Sequence, residues 1–186
     1  DGGLYVPESF PHLSTDTIRG FVGKPYADVA KTVLWPFVDG EIERDAFEHM
    51  VDEAYATFRH RAVTPLVQVG ESDFILELFH GPTLAFKDVA MQLLARLMDH
   101  VLAERDQRAT IIGATSGDTG GAAIDAFRGR ERTDVFILIP HGRVSDVQRR
   151  QMTTVPAGFA ANNNAHALAI DGNFDDCQAL VKAMFN

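Results

Sequence analysis

The sequence predicts an α/β protein built on a parallel sheet with helices on both faces. Two observations carry that prediction. Short apolar runs alternate about four times with longer segments of helical period, and parallel strands need such crossovers between neighbours. The chain has 186 residues, 46% of them hydrophobic and 23% charged, which is the balance of a folded chain long enough for a sizeable core.

The elements follow in order. Segment 4–8 (LYVPE) reads as a short strand or extended arm stopped by Pro7, and 11–36 holds too many turn residues for one long element. From Glu41 a helix is clear: Ile42, Ala46, Met50, Ala54 and Phe58 recur every four residues, with Glu43, Arg44, Glu48, Asp52 and Glu53 on the other face. Segment 74–79 is a strand, 80–83 a turn, and 89–103 a helix with Ala90, Leu94, Leu97 and Val101 inward. The unit repeats as a strand at 110–114, a glycine-rich turn at 116–121, and a helix at 122–127. Strands at 135–139 and 167–170 then precede helices at 144–152 and 173–185. The last helix sets Phe174, Cys177, Val181 and Met184 on one face. Two parts are expected: an N-terminal segment, 1–60, carrying the amphipathic helix, and an α/β region, 61–186.

Composition excludes several functions. With 17 Lys+Arg against 26 Asp+Glu the net charge is −9, so no basic surface exists for nucleic acid. Stretch 152–170 lacks charged residues, but Pro156, Gly158 and Asn162 to Asn164 rule out a membrane span. Seven histidines show no i, i+4 pair and no cysteine partner, which predicts no metal site. The single cysteine, Cys177, falls on an apolar helix face and reads as core; a reducing, cytoplasmic setting suits it, and a plastid setting is compatible. The start without Met and the finish within a helical pattern are expected of a piece of a longer protein.

In such sheets chemistry gathers where strands end and helices begin. Two of these turns stand out. In the first, 77–88 (ELFHGPTLAFKD), Lys87 opens a helix after an apolar pair. It is either a solvated helix lysine or an amine shifted toward neutrality by the helix dipole and apolar surroundings, able to attack a carbonyl. The second, 114–121 (ATSGDTGG), is either a tight turn with an N-cap or an anion cradle of glycine backbone, helix-start amides and hydroxyls. It is no dinucleotide fingerprint, P-loop or nucleophile elbow. Arg143, after a strand end, is either a solvated loop residue or a contact for an anionic ligand.

Segments 1–8 (DGGLYVPE), 64–66 (TPL), 77–88, 114–120, 142–145 (GRVS), 151–154 (QMTT) and 170–178 (IDGNFDDCQ) together closely resemble the threonine synthase family, in its order and across almost the whole chain. That family has the fold of the tryptophan-synthase-β type of pyridoxal-phosphate (PLP) enzymes. The resemblance implies conversion of O-phospho-L-homoserine and water to L-threonine and phosphate, with PLP held as an imine on the lysine matching Lys87. It further implies that Lys87 moves the α and β protons, and that Phe86 and Asp118 contact the cofactor. Thr115, Ser116 and Thr119 would grip the substrate carboxylate, with Arg143 as a further substrate contact. Asp118 stands where related enzymes often have Asn. The family's downstream PLP-phosphate loop and Asn-Ser-Ile-Asn segment lie beyond residue 186, and segment 156–165 departs from the family's short connection. The chain alone is therefore expected to bind PLP weakly and to turn over little substrate. The rival readings are a threonine dehydratase or cysteine-synthase-like enzyme, and a non-catalytic remnant of the same fold.

Overall fold

The computed structural model describes residues 5–156, 158 and 163–185. Leu4 of the expected N-terminal arm, and residues 157 and 159–162 of the atypical connection, lie outside them. Three short elements come first: α1 (Thr15–Arg19), capped by Ser14, then α2 (Tyr26–Leu34) and a single 3-10 turn, Trp35–Phe37. The amphipathic helix α3 (Arg44–Tyr55) buries Phe47, Met50, Val51, Ala54 and Tyr55. With Ala30, Ile42, Val63 and Leu93 these form one apolar core, tied by the Tyr26–Tyr55 edge contact at 4.8 Å and the Trp35–Phe47 contact at 5.5 Å.

The first predicted strand is not in the parallel sheet. Segment 74–79 contributes only β2 (Phe74–Leu76), which pairs antiparallel with β1 (Leu66–Gln68) in a separate hairpin. The reason is the connection: five residues link the strands, enough for a hairpin and far too few for a parallel crossover.

The parallel sheet has three strands in the order β3 (Ala109–Ala114), β4 (Thr133–Pro140), β5 (Ala165–Ile170). Its connections are α5 (Asp118–Phe127) and α6 (Asp146–Thr153), and α7 (Phe174–Met184) follows β5. On one face Val135, Ile137 and Ile139 of β4 meet Ala123, Ile124 and Phe127 of α5 and Met152 of α6 in a second core. Strand side chains alternate, so Phe136 and Leu138 point to the other face, where α7 packs on β3 and β4. The N-terminus of α7 is closed by Asn173 and Asp176 in a reciprocal capping box.

Helix α4 (Asp88–Glu104) belongs to both cores. Leu93, Leu97 and Val101 join the α2–α3 core, whereas Ala95, Met91 and Met98 join the sheet core. This double packing moves two residues expected to face inward: Ala90 and Leu94 lie exposed, along an open apolar cavity of about 530 Å³ between α2 and α4. No helix among the described residues is long and apolar enough to cross a membrane.

Candidate active site

Helix α4 precedes β3 and its N-terminus lies where β3 ends, so the start of α4 and the start of α5 meet. Lys87 is the N-cap of α4, and Asp118 is the first residue of α5. Their side chains form an ion pair, Lys87 Nζ to Asp118 Oδ2 at 2.7 Å, with exposures of 25% and 41%. The Lys87 amine also stands 4.1 Å from the centre of the Phe86 ring. The hydrogen bond from Lys87 holds the Asp118 carboxyl below the usual carboxylate range, and burial opposes that shift. The lysine that the sequence leaves as either a solvated helix residue or a carbonyl nucleophile is partly exposed and faces a carboxylate.

The loop that brings Lys87 here is tightly made. Asp88 is fully buried, and its carboxylate accepts from the Thr83 amide at 2.8 Å and the Thr83 hydroxyl at 2.7 Å. Burial pushes the Asp88 carboxyl up, while the Thr83 hydrogen bonds hold it down. Gly81 lies flat against Asp88, where a Cβ would collide with the carboxylate. Leu84 takes φ +68°, a left-handed conformation that costs a non-glycine residue about 1–2 kcal/mol.

The second turn is shorter than the sequence predicts, because α5 already begins at Asp118 and takes Gly120 and Gly121 into its first turns. Gly120 is glycine because Thr115, Ile137 and Met152 crowd it. Thr115 lies on the inner side of this turn. It is buried, 3% exposed, and its hydroxyl accepts from the amides of Gly117 and Gly120 at 3.0 Å each. Its two acceptor positions are thus taken up in holding the loop. Ser116 is exposed and Thr119 half-buried, so these two carry their hydroxyls near the surface. Arg143 follows Gly142 (φ +67°) on the exposed loop after β4, apart from the Lys87–Asp118 pair in every described hydrogen bond and ion pair.

Four contributors escape the sequence reading. Asp88, directly after the lysine, is an acid among apolar helix residues, and that position was its one visible signal. Gln151 donates to the Thr83 carbonyl at 3.2 Å, and Gln148 of the same helix presses on Gly117, which has φ +152°. Asn164 is buried and donates to the carbonyls of Phe127 and Thr133 at 3.0 and 2.7 Å, fastening the end of α5 to the start of β4.

A partly exposed primary amine facing a carboxylate, where two helices start at the carboxyl end of a parallel strand, defines an α/β protein with a lysine-centred site. Relatives narrow the class. Residues 1–55 match the family model described as the threonine synthase N terminus. The whole chain is 55% identical over 185 residues to a threonine synthase of Pseudomonas aeruginosa, of which it covers 38%. It superposes on the PLP-bound threonine synthase of Brucella melitensis with a TM-score of 0.92 at 65% identity, covering 100% of this chain and 39% of that one. For the yeast threonine synthase structure the TM-score is 0.89 at 40% identity, covering 99% and 38%. By sequence along its whole length and by fold, the chain is similar to threonine synthases, and it spans less than two-fifths of the length of these relatives.

Proposed function

We propose that the full-length protein is a threonine synthase, converting O-phospho-L-homoserine and water to L-threonine and phosphate. The observation that carries this reading is the Lys87–Asp118 pair, built from the two family-like turns in a chain similar throughout to threonine synthases.

The residues present suit pyridoxal 5′-phosphate. Its aldehyde requires an accessible primary amine, which Lys87 offers at 25% exposure, and its ring requires flanking groups, a role we assign to Asp118 and Phe86 because both lie beside that amine. When bound, the cofactor supplies an electron sink for charge developing beside the amino-acid nitrogen. The remaining work falls to the chain. Lys87 holds the cofactor and, once released, holds and moves protons at Nζ. Asp118 keeps that amine aimed at one place. The Ser116 and Thr119 hydroxyls offer donors for the substrate carboxylate, with Thr115 bracing their turn from inside. Arg143 is assigned to the anionic substrate from its exposed loop.

The test is borohydride reduction of the full-length protein followed by peptide mass analysis, with phosphate release assayed from O-phosphohomoserine. A pyridoxyl adduct on Lys87, and loss of phosphate release in Lys87→Ala, are expected. An adduct elsewhere, or ammonia release from serine or threonine in place of phosphate release, would overturn the proposal.

A further inference from the structure

Besides Asp118, which meets the Lys87 amine, other side chains fix the loop that carries Lys87. Asp88 closes the loop from inside: both of its carboxylate oxygens accept from Thr83, five residues back, so residues 83–88 form a ring anchored in the core. Lys87 sits on that ring one residue before the anchor. Gly81 leaves the space Asp88 occupies, and Leu84 is held at φ +68° within the ring. A second fixing point comes from α6, where Gln151 donates to the Thr83 carbonyl at 3.2 Å. One helical turn earlier Gln148 packs on Gly117, the residue before Asp118. A single helix therefore touches both turns, the one that delivers the amine and the one that delivers its carboxylate.

We propose that Asp88 and Gln151 are positioning residues for Lys87: Asp88 shapes the loop from within, and Gln151 locks that loop to α6 and so to the Asp118 turn. The proposal rests on the reading of Lys87 as the cofactor lysine. Neither residue reaches Nζ, so their effect is on where the amine stands. Displacements of about 1 Å at a reacting group cost rates of the order of 100-fold.

The experiment uses the full-length protein with Asp88→Asn and Gln151→Met. Three quantities are read: kcat and KM for phosphate release, the thermal midpoint, and the rate at which an amine-directed acylating reagent labels Lys87 in cofactor-free protein, followed by peptide mass analysis. In Asp88→Asn, kcat should fall about 10- to 100-fold with KM within about 3-fold, and Lys87 labelling should change by about 3-fold or more. Gln151→Met should move both in the same direction by less. Folded variants with wild-type kcat and wild-type labelling would overturn the proposal, as would a loss of activity that tracks the thermal midpoint and vanishes on cooling. Should Asp88→Asn fail to fold, Gln151→Met decides by the same two readings. Absence of a pyridoxyl adduct on wild-type Lys87 would defeat the cofactor reading alone, since acylation still reports where the amine stands.

Discussion

Lys87 and Asp118 are 31 residues apart in the chain, yet Nζ of one stands 2.7 Å from Oδ2 of the other. The whole of β3 and the length of α4 lie between them. Because β3 returns the chain toward the start of α4, the starts of α4 and α5 are brought together. The pair is the point at which that topology becomes chemistry.

Asp118 gives a pH prediction. Its carboxyl is held below its usual range, so the stability it adds is present above the unfolded pKa and disappears as pH falls through the folded one. The gap in urea midpoint between wild type and Asp118→Asn should be full at neutral pH and close as the pH falls below the ordinary carboxylate range. Both side chains are partly exposed, so the gap should be small and should shrink with salt. A gap that widens on acidification would contradict the pairing.

Thr115 is expected to be worth more to stability than to substrate binding. Thr115→Val keeps the shape but leaves the Gly117 and Gly120 amides without their acceptor in a buried turn, a loss of about 1–3 kcal/mol. Thr115→Ser should retain most of it. Denaturant titration of both variants checks the assignment, which fails if Val and Ser behave alike.

Gly120 has no room for a methyl group. A Cβ would stand 2.8 Å from Ile137 Cγ2 and 3.0 Å from the Met152 sulfur, besides crowding Thr115. Gly120→Ala should cost about 1–3 kcal/mol by overpacking, despite the higher helix propensity of alanine. An unchanged or raised denaturation midpoint would show that this corner of the core yields.

Cys177 should be inert. It is fully buried on α7, and burial, followed by the neighbouring Asp176 charge, pushes its thiol up. A thiol reagent should label it only at the rate of unfolding, and Cys177→Ala should leave intact the phosphate release proposed for the full-length protein. Fast labelling of the folded protein would refute its assignment to the core.

Much of the fold was legible because its signals are local. Helix α3 announces itself by apolar residues every four positions, and α7 by apolar residues three or four apart, at Phe174, Cys177, Val181 and Met184. The β1–β2 hairpin was not legible. Leu66, Phe74, Ile75 and Leu76 form short apolar runs like those of a buried parallel strand, yet they lie more than half exposed here. Periodicity cannot tell which surface such a run will meet. Ala90 and Leu94 of α4 were misread for a related reason, whereas Leu97 and Val101 pack inward as expected: a helix between two cores has no single apolar stripe.

The chain's sequence by itself determined the chemistry available: one lysine at a helix start, a turn rich in glycine and hydroxyls, and the family-like blocks around them. These are properties of neighbouring residues, and neighbouring residues are what a sequence displays. The tertiary structure alone decided how they are used. It set Asp118 against Lys87, turned the Thr115 hydroxyl inward, sank Asp88 beneath the lysine loop, and laid Gln148 and Gln151 across both turns. Each of these contacts depends on the direction in which a strand or helix returns, and that direction is settled by the packing of whole faces.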